Sequence, residues 1–356
     1  MSKINNHIEI VRSTSKALSS MSNKSVSAIF KTLSENYTKV GITTVNNIVD
    51  LNNLVNINPD LVFLGLEFIP SNPDLGSSDP DKIWISDYLD EYDIAYTGSD
   101  QMAHELQRNK HLAKQRVLDF GLNTSAYYVA KKNDSVNLDD ILLNFPMFVK
   151  PTDRGGGLGI DARSVVNNHV QLLEKINSIN LDLNSDALVE NYLSGREFSV
   201  AILKKLDSDN YMTLPIELIA PTDENGVRIL SNKVKSTDSE EVFELTDCFL
   251  RDRICELSLS VFHALGARDY GRIDIRLDEH GTPHFLESNL IPSLINNYGS
   301  FPKACVMNID LDYESMIIHI TNLGLARNAN NIRKISQAKK GDNIFIPSEI
   351  IFETIY

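Results

Sequence analysis

Within residues 265–294, LGARDYGRIDIRLDEHGTPHFLESNLIPSL, two carboxylates, an amide and a guanidinium recur at spacings that suit a cation site. Ile273, Ile275 and Leu277 alternate with Arg272, Asp274 and Arg276, the period-two pattern of a strand with one buried face. His280-Gly281 signals a turn, and Phe285-Leu286 opens a second apolar run that closes a hairpin. Glu287 and Asn289 on the second strand are then expected to face the same way as Asp274 and Arg272. Magnesium takes such ligands, usually one or two carboxylates, and fills its other positions with water and phosphate oxygens. A solvated polar face on a surface hairpin gives the same pattern, so the rest of the chain has to decide.

Two upstream stretches supply cations. Phe148-Val149-Lys150-Pro151 reads as an apolar strand ending in lysine, and Gly155, Gly156, Gly157 and Gly159 follow at once. Glycines so dense let backbone N–H groups turn inward and cradle phosphate oxygens, with Lys150 as a point charge beside them. No G-K-[ST] follows, so this is not a Walker A loop, and a plain mobile hairpin is the competing reading. Lys110 and Lys114, one turn apart on a helix expected from about Ser99 to Gly121, read on their own as a solvated stripe. Glu190 and Glu197 read from spacing alone as exposed strand carboxylates.

The elements that must hold these residues alternate. A strand at 61–66, a helix at 81–91 and a short strand at 94–98 predict an N-terminal α/β lobe with a parallel sheet, whose loops after strands are the ligand side. Residues 1–60 carry little legible pattern. A helix at 167–177, strands at 187–190, 196–203 and 211–220, and a helix at 244–265 ended by Gly266 lead into the hairpin. The polar segment 221–241, with Lys233 and Lys235, is long enough to suggest a lid.

Thirty-four basic against 48 acidic residues give a net charge of −14, which argues against a nucleic-acid or anionic-membrane surface and requires any phosphate to meet local lysines. Cys248, Cys255 and Cys305 form no metal-type pair and are expected as buried small hydrophobes in a reduced, cytoplasmic setting. No apolar leader and no long apolar span is apparent, so a soluble protein is expected.

In this order the pieces resemble the ATP-grasp superfamily, and within it the D-alanine–D-alanine ligase-like group. The resemblance is carried by Phe148-Val149-Lys150-Pro151 with its glycine loop, by residues 188–200 (LVENYLSGREFSV), and by Tyr270-Gly271-Arg272-Ile273-Asp274 leading to Phe285-Leu286-Glu287-Ser288-Asn289. It covers about residues 60–325, and it implies an α/β and α+β protein: an ATP-grasp fold preceded by an N-terminal α/β lobe. The expected divisions are 1–105 for that lobe, 106–190 and 191–328 for the two ATP-grasp subdomains, and 329–356 for an extension whose apolar groups at 344–346 and 350–352 are expected to be buried.

The resemblance also implies roles. Lys110 and Lys150 contact ATP phosphates beneath the glycines at 155, 156, 157 and 159. Glu190 and the backbone from Asn191 to Leu193 receive adenine, and Glu197 takes the ribose. Lys233 approaches the γ-phosphate. Asp274, Glu287 and Asn289 hold two magnesium ions, or manganese, and Arg272 steadies the reacting carboxyl oxygen. The implied reaction converts a small-molecule carboxylate to an acyl phosphate, which an amine displaces to give an amide, in a cytoplasmic homodimer without nucleic-acid or membrane partners. The chain departs from D-alanine ligases at Gly65-Leu66-Glu67, where they carry a histidine-glycine motif, at Gly156 and Gly157, where they carry serines, and at Ser293, where they carry glycine. The altered acceptor motifs leave a second reading, an ATP-binding protein without turnover, and the superfamily resemblance implies a third, a kinase acting on a hydroxyl.

Overall fold

The structure, a computed structural model, describes residues 2–15, 18–222, 226–237 and 239–341. The chain opens with β1 (Ile4–Arg12), α1 (Asn23–Asn36), β2 (Tyr37–Thr44), α2 (Ile48–Ile57) and β3 (Leu61–Leu64), forming a parallel sheet in the order β2-β1-β3. Ile8 and Ile10 enter one core and Val11 another, so β1 is covered on both faces and shows no clean alternation. That explains why residues 1–60 are hard to read. Ser22 and Asn47 cap the two helices by accepting from backbone N–H groups of the first turn.

Next come β4 (Phe68–Pro70), β5 (Lys82–Trp84) and α3 (Ile85–Glu91). The helix expected at 81–91 therefore begins late: its first residues pair as β5 against β4, with the Phe68 and Trp84 rings 5.4 Å apart. The strand expected at 94–98 reduces to a single parallel bridge between Tyr96 and Val62. The single helix expected from Ser99 to Gly121 is two, α4 (Gln101–Arg108) and α5 (Lys110–Asp119). Asn109, at φ −105° and ψ 83°, breaks it, which frees the Lys110 N–H to donate to the Thr152 carbonyl at 3.0 Å.

A small antiparallel sheet follows, built from β6 (Tyr127–Ala130), β7 (Met147–Pro151), β8 (Val165–Val166), α6 (His169–Asp182) and β9 (Ala187–Asn191) in the order β6-β9-β7-β8. Leu172, Ile176 and Ile179 of α6 pack on Val149 and Val189. The large sheet comprises β10 (Glu197–Lys204), β11 (Tyr211–Ile219), β12 (Glu241–Glu244), β13 (Tyr270–Leu277) and β14 (Pro283–Asn289), in the order β12-β11-β10-β13-β14. Between β11 and β12 the polar segment carries α7 (Asn232–Thr237). α8 (Cys248–Ala264) presents Leu250, Ile254, Leu257 and Val261 to the core side of β10 and β13.

After the large sheet run α9 (Ser300–Ile309) and α10 (Tyr313–Gly341). Among the described residues no helix is long and apolar enough to cross a membrane. Cys305 is buried as expected, but Cys248, the first residue of α8, is exposed, and Cys255 is only half-buried beside the core-facing Ile254. The apolar groups at 344–346 and 350–352 lie outside the described residues.

Candidate active site

The hairpin of β13 and β14 sets Asp274 opposite Glu287 and Arg272 opposite Asn289. Leu286 is an extra residue on β14: Ile275 pairs with Phe285, not with Leu286. This bulge lets Phe285 turn fully into the core while Glu287 and Asn289 face the cleft, an orientation that strict alternation along β14 would forbid. Ile273 and Ile275, both fully buried, anchor β13 from behind. Each such side chain contributes about 1.5–3 kcal/mol, so the carboxylates stand on a stiff floor.

Asp274 is held by four donors. Ser199 of β10 donates at 2.8 Å, the Arg272 fork donates from Nε and Nη2 at 2.9 Å each, and Asn289 Nδ2 donates at a longer 3.4 Å. Glu287 lies 3.8 Å from Lys110 Nζ. Burial opposes its ionisation, yet Lys110, Lys235, Lys150 and Arg272 together pull its pKa down to about 2. Lys110 itself is buried, which lowers its pKa, and its ammonium donates to the Arg154 carbonyl at the start of the glycine loop. Two carboxylates supply hard oxygen donors, and the Asn289 amide beside them, whose Nδ2 faces Asp274 here, would add its oxygen on turning over, a set that suits magnesium.

Behind the hairpin lies a buried ion triad. Glu190 accepts from Lys114 at 2.5 Å and Lys150 at 2.7 Å, with Ser125 donating at 2.9 Å. Burial penalises the charge, but the two lysines overcome it and lower the Glu190 pKa to about 2. Lys114 is fully buried, and burial drags its pKa to about 8. The solvated-stripe expectation for Lys110 and Lys114 is thus corrected, because α5 turns both inward against the small sheet; Glu190, expected as an exposed strand carboxylate, is also inside. Glu197 receives Arg276 at 3.0 Å, and burial, the largest influence on it, raises its pKa.

A cleft of about 620 Å³ runs between the two sheets, lined by Phe148, Lys150, Glu190, Asn191, Leu193 and Glu197. A larger one of about 2070 Å³ opens toward the N-terminal lobe and is lined by Lys110, Gly155, Gly156, Arg272 and Asn289 among others. Both share Leu230, Lys235, Asp274 and Glu287 as wall, so they meet at the hairpin. Gly156, Gly157 and Gly159 take φ of 63°, 76° and 80°, the region glycine adopts without strain. Asn232 Nδ2 donates to the Gly156 carbonyl at 3.0 Å, tying α7 to the glycine loop as a two-sided cover.

Lys233 is exposed, while Lys235, two residues on along α7, lines both clefts. Residues two apart on a helix do not share a face, so only one of the pair reaches the site. Sequence reasoning missed Lys235, Lys114, Ser199 and Arg276. The lysine pairs offered a choice that spacing alone does not make; Ser199 and Arg276 are ordinary members of alternating strands. The two clefts together are lined by seven basic and seven acidic side chains, a local balance of charge inside a chain of net charge −14.

Residues 117–322 match the family described as D-ala D-ala ligase C-terminus. The chain belongs to that family. Its fold is ATP-grasp, the architecture shared by the D-alanine–D-alanine ligase-like group. The D-alanine–D-alanine ligase of Aquifex aeolicus is 31% identical over 245 residues, covering 68% of this chain and 75% of that protein. Among solved structures, the Bacillus anthracis D-alanine–D-alanine ligase complexed with ATP superposes with a TM-score of 0.71 at 20% identity, over 92% of this chain and all of that one. The D-Ala:D-Ser ligase of Enterococcus faecalis gives 0.66 at 19% identity, covering 91% of this chain and 100% of that chain. In this ATP-grasp family member the hairpin, the glycine loop and the small cleft fall within the matched region, while the large cleft also draws on Leu18 to Ser20, Glu67 and Arg108 from before it.

Proposed function

We propose that this chain is an ATP- and magnesium-dependent, ADP-forming ligase that joins a small-molecule carboxylate, an amino acid or close relative, to an amine as an amide. The observation that carries this reading is the shared wall: the small cleft and the large one meet at Asp274, Glu287 and Lys235. A nucleotide seated between the sheets would present its terminal phosphate there, to a substrate in the large cleft. The relatives support the same chemistry, since curated family members are named as D-alanine–D-alanine ligases.

In this reading the carboxylate oxygen attacks the γ-phosphorus, ADP leaves, and the amine then displaces phosphate from the acyl phosphate. Lys110 and Lys150 hold the phosphates beneath Gly155, Gly156, Gly157 and Gly159. Glu190 with the backbone of Asn191 and Leu193 takes the adenine side, and Glu197, steadied by Arg276, the ribose. Lys235 takes the γ-phosphate role that the sequence suggested for Lys233. Asp274, Glu287 and Asn289 would hold two magnesium ions, for which manganese substitutes; bound there, they would neutralise phosphate charge. Arg272 steadies the oxygen of the reacting carbon, and the α7 cover excludes water from the acyl phosphate. A homodimer in the cytoplasm is the assembly and setting that the resemblance supports.

The test is release of ADP and phosphate from purified protein given ATP, magnesium and paired panels of amino acids and amines. Amide product identified by mass spectrometry is the expected result. A panel that yields neither ADP nor phosphate, or that yields a phosphorylated hydroxyl product, removes this reading.

A further inference from the structure

Arg108, the last residue of α4, projects into the large cleft two residues before Lys110. Its guanidinium carbon sits 4.5 Å from the Phe68 ring centroid, a stacked position that fixes the plane of the group. One corner, Nη1, points at Glu67 Oε2 at 3.4 Å, longer than a good charge-assisted hydrogen bond. A guanidinium has five N–H donors, and no other polar partner of Arg108 occurs among the described residues.

Glu67 does not saturate it, because Glu67 is itself held: Gln107 Nε2 donates to Oε1 at 2.6 Å, and the Gln107 side-chain carbonyl accepts from the Leu290 N–H. The end of β14 thus fixes Gln107, which fixes Glu67, which braces Arg108. Asp153, one of the further acids lining this cleft, is engaged by Arg154 at 2.6 Å and Ser185 at 2.6 Å. Lys82 adds a second cation over the same Phe68 ring at 5.3 Å. A stacked, braced guanidinium with its fork open toward a substrate cleft has the geometry that reads a planar carboxylate with two parallel hydrogen bonds.

We propose that Arg108 is a specificity-determining residue that binds a substrate carboxylate other than the one being activated, so that at least one substrate carries a second negative charge. This rests on the ligase reading above. The charge is a side-chain carboxylate and has two sources, a dicarboxylic amino acid as the activated substrate or a dicarboxylic amino acid as the acceptor.

The experiment compares near-isosteres differing in that charge, glutamate against glutamine and aspartate against asparagine, in both enantiomers, on wild type, Arg108→Gln and Arg108→Lys. Hydroxylamine serves as amine in one arm, so that hydroxamate of the dicarboxylate identifies it as the activated acid. In the other arm the dicarboxylates are added to a second acid, and amide at their nitrogen identifies them as acceptors. Wild type is expected to favour the charged member by at least about 30-fold, and Arg108→Gln to lower kcat/KM for it on the order of 100-fold. Discrimination in that variant shrinks to within about threefold, and Arg108→Lys recovers only part because a lysine lacks the fork.

Calorimetric binding of glutamate and glutamine to full-length protein with ADP and magnesium runs in parallel, with melting curves to exclude misfolding. Amide formation that ignores both the charge and the Arg108 substitutions overturns this proposal and leaves the ligase reading intact. Absence of any turnover overturns the ligase reading, and the binding arm then decides Arg108: equal affinity for glutamate in wild type and Arg108→Gln rejects it.

Discussion

Glu190→Gln isolates the electrostatics of the nucleotide cleft. The substitution keeps the shape of a side chain that is 2% exposed, but removes the charge between Lys114 and Lys150. In the folded protein the pKa of Glu190 falls from 4.5 to about 2, a difference worth about 3 kcal/mol of folding free energy. Loss of one partner from a buried ion pair costs about 3–5 kcal/mol, in agreement. At about 2–4 °C per kcal/mol for domains of this size, the melting temperature should drop by about 6–12 °C at pH 7.

The pH dependence gives a sharper check. A carboxyl with depressed folded pKa contributes stability above its unfolded pKa and loses it as pH falls through the folded value. The gap between wild type and Glu190→Gln should therefore close between pH 4.5 and about 2, as wild-type Glu190 takes up its proton. It should also narrow as the pH rises toward 8 and beyond, because without Glu190 to hold its proton Lys114 titrates below its wild-type value of about 8 and sheds the charge that the neutral amide leaves unbalanced. Melting curves by circular dichroism at pH 3, 7 and 9 measure all three points. A shift below about 2 °C at pH 7, or a gap that persists unchanged at pH 3, would refute the triad as a net stabilising unit.

Asp274→Asn and Glu287→Gln should each lower kcat at least about 100-fold by weakening the cation site; Glu287→Gln should also lower the melting temperature, because Lys110, Lys235, Lys150 and Arg272 hold the Glu287 pKa down to about 2 in the folded protein, and product release assays with melting curves measure both. Lys235→Met should raise KM for ATP or lower kcat by about tenfold or more, while Lys233→Met changes either less than about threefold, since only Lys235 lines the clefts. Gly157→Ala places a Cβ 2.8 Å from the Asn232 backbone nitrogen at φ +76°, so the glycine loop and α7 must part. About 1.4 kcal/mol of strain gives a tenfold weaker ATP affinity by calorimetry, and an unchanged affinity would show that the two covers need not meet.

What the sequence made legible follows from how each residue is constrained. The β13 strand could be read because from Arg272 onward only one face carries apolar side chains into the core, leaving Arg272, Asp274 and Arg276 in strict alternation with Ile273, Ile275 and Leu277, while Tyr270 before them joins the core on the other face. The bulge at Leu286 left no comparable trace, yet it lets Glu287 face the cleft while the nearby Phe285 fills the core. The break at Asn109 was invisible for a similar reason. Helical periodicity continues across it, and only the tertiary bond from Lys110 N–H to Thr152 selects two helices over one.

Charge placement was the hardest to foresee. Lys110 and Lys114 look like a solvated pair because lysine is seldom buried, and burial becomes tolerable only once Glu190 and Glu287 arrive from β9 and β14. Such partners lie 76 and 177 residues away, beyond any local pattern. In the proposed reading the nucleotide half of the site serves one fixed ligand, which accounts for its residues standing in a recognisable order. The substrate half is assembled from the ends of separate elements: Leu18 to Ser20 after β1, Glu67 after β3, Arg108 at the end of α4 and Ser293 after β14. No short motif links those positions, and the chemistry they select emerges only where the chain folds Gln107 against Leu290 and stacks Arg108 on Phe68.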